Sequence, residues 1–300
     1  MTDLHRYLVT ECLEDFAQGR VSRREALKVL AGLTGTVLAA TRLLDAHAQT
    51  APPAAAPAAP AKAQEAVAPD DPAVSASRVT FRGRDAELTG YLARPSTAAR
   101  APIVLVCHEN RGLTPHIEDV ARRVAKAGYV ALAVDLLSRE GGSDKVGFEG
   151  APAALGKPPA LRHVQDFQSG LAYARMQSYA APDRAGMVGF CFGGGVTWQV
   201  AVDVPDLRAA VPYYGAPASA SDVPRINAAV LAIYAGNDQR INAMIPAVEE
   251  AMQKNNKTFR KIVYPDVEHA FNNDTGSRFN QAAATAAWRE TLAWFQKYLA

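Results

Sequence analysis

The chain has 300 residues, 49% of them hydrophobic, with a formal net charge of +2 and no long run of one sign. That suffices for one large domain with a sizeable core, and the balanced charge gives no basis for nucleic acid or an anionic surface as partner. Three cysteines, Cys12, Cys107 and Cys191, are too few for a disulfide framework, and no Cys/His spacing resembles a zinc site, so neither metal nor cofactor is expected.

Residues 1–48 read as an address. Arg23 and Arg24 are followed, two residues on, by the apolar Ala26 and Leu27; a weakly hydrophobic stretch then runs over 29–44 and ends at Ala46-His47-Ala48, an A-x-A-like cleavage site before Gln49. The whole resembles a bacterial twin-arginine export signal. It implies the twin-arginine export machinery as a partner, cleavage after Ala48, a periplasmic or secreted product and no stable membrane span after processing. The alternative is an uncleaved amphipathic N-terminal helix. In an oxidising compartment Cys107 and Cys191 could pair, but a bridge would block chemistry at Cys191, so free thiols are expected.

Residues 49–75, rich in Ala and Pro, read as a tether with no core of their own. The folded domain is expected over 76–300. Alternation over 78–82 and 86–92 around Gly83-Arg84-Asp85 predicts a hairpin, and the apolar run 102–107 predicts a strand buried on both faces. A helix over 117–127, a strand over 129–134, a Gly/Pro-containing excursion over 135–159 and a helix over 161–178 follow, the last with His163, Asp166 and Gln168 outward. Strands are predicted at 185–190, 207–214, 229–234 and 260–264, and a closing helix over 278–299. This alternation predicts a mostly parallel central sheet with helices on both faces and sites at the carboxyl ends of the strands.

The run Gly189-Phe190-Cys191-Phe192-Gly193-Gly194 falls between a predicted strand and a predicted helix. A nucleophile flanked by glycines at that turn is the nucleophile elbow of the α/β-hydrolase fold, here with cysteine in the nucleophile's place. Downstream, only one histidine remains, His269, and Asp238 lies just past a strand. Chain order and context predict a Cys191–Asp238–His269 triad, with Asp266 and Glu268 as other candidates for the acid. Cys191 would attack an ester carbonyl, His269 would help form the thiolate and activate water, and Asp238 would fix the imidazole. Phe192, at the helix start, would give one oxyanion donor through its backbone; the other would come from the loop Cys107-His108-Glu109-Asn110-Arg111-Gly112.

With these motifs in order, namely His108-Glu109-Asn110-Arg111-Gly112-Leu113, Asp135-Leu136-Leu137-Ser138-Arg139, the elbow, Val211-Pro212-Tyr213-Tyr214-Gly215, Gly236-Asn237-Asp238 and His269-Ala270-Phe271, the chain resembles the dienelactone hydrolase (carboxymethylenebutenolidase) family. The resemblance implies opening of an enol-lactone by a cysteine, a glutamate at Glu109 that holds or accepts the thiol proton, and a second oxyanion donor at the backbone of Asn110. Glu109 could instead pair with Arg111 or Arg139. Family members acting on dienelactone hold its carboxylate with arginines; Arg139 matches one by position, while the second, expected soon after the histidine, is missing, so Arg111 is a candidate to replace it. The expected reaction is therefore hydrolysis of a small ester or lactone, dienelactone-like, through a thioester. The alternatives are a broad carboxylesterase or thioesterase, an acyl transferase, or a non-catalytic binding protein on this scaffold.

Overall fold

The structure, a computed structural model, describes residues 3–17, 19–48, 66–97 and 100–300. Its strands are β1 (Val74–Arg82), β2 (Glu87–Pro95), β3 (Ala101–Cys107), β4 (Val130–Val134), β5 (Ala180–Phe190), β6 (Ala209–Tyr213), β7 (Ala229–Ala235) and β8 (Phe259–Tyr264). Its helices are α1 (Asp3–Ala17), α2 (Arg23–Thr34), α3 (Val37–Ala48), α4 (Pro115–Lys126), α5 (Ser143–Gly156), α6 (Ala160–Arg175), α7 (Phe192–Asp203), α8 (Gln239–Asn242), α9 (Ile245–Lys254) and α10 (Gln281–Leu299).

The strands make one sheet in the order β1-β2-β4-β3-β5-β6-β7-β8. β1 and β2 form the expected antiparallel hairpin, closed by Gly83 N–H donating to the Ala86 carbonyl, and β2 runs antiparallel to β4. Every other pair is parallel. This is the α/β-hydrolase fold. The continuous apolar runs of β4, β6 and β7 are buried at every residue, because helices cover both faces of a parallel sheet. β8, at the edge, is exposed at Arg260, Lys261 and Val263, and its two charges discourage pairing with another chain.

The excursion after β4 folds as a 3₁₀ turn and α5, which bends at Gly147 where φ is +75°. On α6 the expectation of an outward face fails for two residues: His163 and Asp166 are buried, and only Gln168 is exposed. Both oxygens of Asp166 accept from Arg139 at 2.7 Å, and His163 Nε2 donates to the Leu155 carbonyl while its ring meets Phe192 edge-on.

The expected tether, 49–75, lies outside the described residues over 49–65. Val67, just after it, is buried, its N–H donating to Asp119 and its carbonyl accepting from Arg122. The expected export segment is three helices. Ser22 and Glu25 cap α2 reciprocally, and Gly35, with φ +79°, ends it. Leu8, Val29, Leu30, Leu33 and Leu44 bury one face of this trio. A Cβ on Gly32 would stand 2.7 Å from Ala153 Cβ, so α2 rests directly on α5. Among the described residues no helix is long and apolar enough to cross a membrane.

Candidate active site

The carboxyl ends of β3, β5, β7 and β8 deliver Glu109, Cys191, Asp238 and His269 to one edge of the sheet. Cys191 sits between β5 and α7 with φ +59°, a conformation side chains rarely adopt. The glycines around it are imposed by contact. A Cβ on Gly189 would lie 2.2 Å from the Gly193 carbonyl oxygen, and one on Gly193 would lie 2.4 Å from that of His108. The backbone of the Glu109 loop is thus pressed against the first turn of α7. Phe192 opens that helix, so its N–H has no partner within the helix. Asn110 is buried in the turn next to it.

Asp238 serves two ends. Its Oδ1 accepts from Ile241 N–H at 3.2 Å, capping α8, and its Oδ2 accepts from His269 Nδ1 at 2.5 Å. Burial would raise the Asp238 pKa; the hydrogen bond and charge of His269 outweigh it, and the carboxyl lies below its ordinary range. The His269 ring packs on Tyr214 at 4.9 Å. Asp266 and Glu268, the other candidates for the acid, are exposed, and Glu268 pairs with Arg20.

Glu109 accepts from Asn273 Nδ2 at 2.5 Å, so its partner is an amide on the histidine's own loop rather than Arg111 or Arg139. His108 holds Glu109's loop from beneath: its Nδ1 bonds the Glu109 carbonyl at 2.6 Å and its Nε2 accepts from Leu136 N–H. Arg139 is committed to Asp166 and Asp85. Arg111 donates to the Phe148 carbonyl and lies over that ring at 4.3 Å. The structure therefore brings Cys191, Asp238, His269, Glu109, Asn110 and Phe192 together, and gives both expected substrate arginines other partners.

Several residues of α1, and the arginines at the rim that meet them, have no counterpart in the sequence reading. Cys191 Sγ donates to Glu11 Oε1 at 2.8 Å, and the Tyr7 hydroxyl lies 3.6 Å from the same sulfur. Glu11 Oε1 is also 3.6 Å from His269 Nε2. Arg240 donates to Glu14 and stacks over Tyr7, and Arg278 approaches Asp15 at 3.6 Å. Tyr7, Glu11 and Glu14 recur at helical spacing on one face of α1, a signal visible in the sequence but obscured once 1–48 is set aside as an address. Burial, then the charges of Glu11 and Glu109, push the Cys191 thiol well up. Burial works against the charge of Arg278, but Asp15, Glu11 and Glu109 outweigh it and raise its pKa above the usual arginine value. Among the described residues, Glu11, Cys191 and His269 are the one group whose ligand-type atoms converge closely enough to hold a metal, all within 4.8 Å.

The profile of the dienelactone hydrolase family matches residues 88–299. A protein of Methylorubrum extorquens named "Putative carboxymethylenebutenolidase" is 32% identical over 252 residues, covering 80% of this chain and 87% of its own length. An Escherichia coli K12 protein of the same name is 32% identical over 259 residues, covering 81% and 94%. The crystal structure of a "Putative Dienelactone Hydrolase" from Klebsiella pneumoniae superposes with a TM-score of 0.69 at 30% identity, over 75% of this chain and 100% of that one. An acylaminoacyl peptidase of Pyrococcus horikoshii, at 16% identity and a TM-score of 0.61 over 42% of its chain, shares the fold.

Proposed function

This chain belongs to the dienelactone hydrolase family and is a carboxymethylenebutenolidase-like hydrolase of small molecules, and from that premise we propose that it cleaves an ester or lactone through a covalent thioester on Cys191. The observation that carries this reading is the buried Asp238–His269 hydrogen bond of 2.5 Å beside a cysteine at a nucleophile elbow.

In the reaction, His269 Nε2 takes the thiol proton as Cys191 Sγ adds to the carbonyl carbon. The oxyanion is held by the Phe192 and Asn110 N–H groups. Collapse breaks the C–O bond; the leaving alkoxide or enolate takes the proton from His269, and in a lactone it stays tethered to the acyl group. His269 then deprotonates a water that adds to the thioester carbonyl. Collapse breaks the C–S bond, releases the carboxylic acid and returns the proton to sulfur. Asp238 holds the ring so that Nε2 faces the sulfur. In this reading Glu109 shares the thiol proton as substrate binds, on its way from sulfur to His269.

A broader ester or thioester specificity is favoured by one observation: Arg139, the arginine expected to clamp a substrate carboxylate, is bonded to Asp166 and Asp85. We also read residues 1–48 as an export signal handled by the twin-arginine machinery, with cleavage after Ala48 and a periplasmic or secreted product; the Arg23-Arg24 pair ahead of a weakly apolar stretch supports it.

The test is hydrolysis of dienelactone and of a neutral aryl ester by the full chain and its Cys191→Ala variant. Turnover of either substrate, reduced at least about 1,000-fold in the variant, is expected. Turnover retained by the variant overturns the mechanism. Preference for the aryl ester would mark the broader specificity.

A further inference from the structure

We infer that the N-terminal helices α1–α3 are an intramolecular inhibitor, with Glu11 occupying the place of the reacting group between Cys191 and His269. The inference rests on the triad reading above.

Attack on a carbonyl needs the carbon about 3–3.5 Å from the nucleophile. That space is filled: Glu11 Oε1 lies 2.8 Å from Sγ and 3.6 Å from His269 Nε2, and the Tyr7 hydroxyl stands 3.6 Å from the sulfur. Cys191 and Glu11 are each 3% exposed and His269 is 8% exposed. His269 Nε2 is buried without a hydrogen-bond partner, and the Glu11 carboxylate stands 3.6 Å from it. With Glu11 seated, its charge adds to that of Glu109 in opposing the thiolate. While α1 is seated the sulfur is closed off, so turnover by the full chain is limited to the fraction of molecules in which α1 lifts away.

The face of α1 that enters the site is matched to the site's rim. Glu14 accepts from Arg240 at 3.1 Å, Tyr7 lies under the Arg240 guanidinium at 4.4 Å, and Asp15 is 3.6 Å from Arg278. Arg20, just past α1, bonds Glu268 on the histidine's loop at 3.2 Å. Behind this acidic face the trio is held by apolar packing. Would-be Cβ atoms on Gly156 come within 3.0 Å of Leu33 and Leu8, and one on Gly32 within 2.7 Å of Ala153, so α5 is the seat on which α1–α3 rest. The ion pairs hold α1 in register over the thiol; the α2–α5 contact holds the trio on the body. In the export reading, cleavage after Ala48 would remove all three helices at once, and with them the obstruction.

The test uses the full chain and two variants that act at different places. Glu11→Ala/Glu14→Ala/Asp15→Ala strips the acidic face. Gly32→Trp drives a large side chain between α2 and α5, far from the chemistry, and leaves Glu11 unchanged, so it separates removal of the cover from removal of the charge. Two rates are read: carbamidomethylation of Cys191 by iodoacetamide, mapped by mass spectrometry, and kcat/KM for 4-nitrophenyl acetate. Both variants should be alkylated at Cys191 at least about tenfold faster than the wild-type chain and should hydrolyse the ester about tenfold better. Alkylation of wild-type Cys191 as fast as in Gly32→Trp overturns the inference, and so does loss of turnover in the triple variant, which would make Glu11 a working part of the site. Faster alkylation in both variants with no hydrolysis in any of the three would uphold the cover and sink the hydrolase reading instead.

Discussion

Asn273 donates its side-chain amide to Glu109 at 2.5 Å, tying the loop after β3 to the loop after β8. The same Asn273 carbonyl oxygen accepts from Thr275 N–H at 3.0 Å and from the Thr275 hydroxyl, so the amide is oriented before it meets Glu109. A neutral donor steadies the carboxylate without cancelling its charge, which leaves Glu109 able to receive a proton from sulfur.

Replacing Asn273 by Ala should lower kcat/KM for a neutral ester by about tenfold or more, since a hydrogen bond to a charged group contributes about 1.5–3 kcal/mol. Asn273→Asp should be worse, because it sets a like charge against Glu109. A merely structural role would leave the pH profile of kcat/KM where it is in both variants; a displaced acidic limb, larger in Asn273→Asp, is the expected signature.

Arg139 is predicted to act on stability and not on substrate choice. It bonds both oxygens of Asp166, which is fully buried, and reaches Asp85 as well. Arg139→Ala would leave an uncompensated buried carboxylate, a loss of about 3–5 kcal/mol. Thermal unfolding should show a lowered Tm, with KM changed equally for neutral and carboxylate-bearing esters. Arg139→Ala combined with Asp166→Leu should regain most of the Tm. A KM effect confined to carboxylate-bearing esters would return Arg139 to the substrate site.

Most of the scaffold was legible because it follows from local rules. The buried strands read as unbroken apolar runs, the hairpin was marked by Gly83-Arg84-Asp85, and the elbow glycines announce the close approach that Gly193 makes to His108. His163 and Asp166 were misplaced because a charged residue is assigned to solvent unless its partner is known, and Arg139 lies 27 positions away. The α5 insertion was hidden by Gly147, Gly150 and Pro152, which break the helical pattern. Glu11 illustrates the largest gap. It meets Cys191 across 180 positions of chain, and no spacing within α1 says which surface its acidic face will find.

The elbow itself gives a prediction about space. At Gly189 even a methyl group would lie 2.2 Å from the Gly193 carbonyl oxygen and 2.4 Å from the Thr197 hydroxyl. Backbone cannot yield as a flexible side chain does, so Gly189→Ala should shift α7 and the Cys191 position together. Overpacking of this kind costs about 1–3 kcal/mol. The expected result is a lower Tm with kcat reduced more than KM, read from unfolding and steady-state kinetics on one sample. Normal kcat in a folded Gly189→Ala protein would show that the elbow tolerates displacement of its nucleophile.

Asp274 fixes the far end of the histidine's loop, and its titration gives a pH test. It accepts from His116 Nδ1 at 2.9 Å and from Arg123 at 2.5 Å, joining the loop to α4. Burial would raise its pKa, but the hydrogen bonds from His116 and Arg123 and the Arg123 charge bring it down to about 2. An unfolded Asp titrates near 3.9. With the folded value depressed, the group contributes stability that is fully present above about pH 4 and is lost as pH falls toward about 2. Asp274→Asn removes that contribution, together with the charged partner of His116 and Arg123. The Tm difference between wild type and variant should therefore shrink as the pH falls from about 4 to about 2. A difference that persists unchanged at pH 2 would mean that Asp274 stabilises the loop by its shape and not by its charge, and the ionic tether between α4 and the loop of His269 would have to be given up.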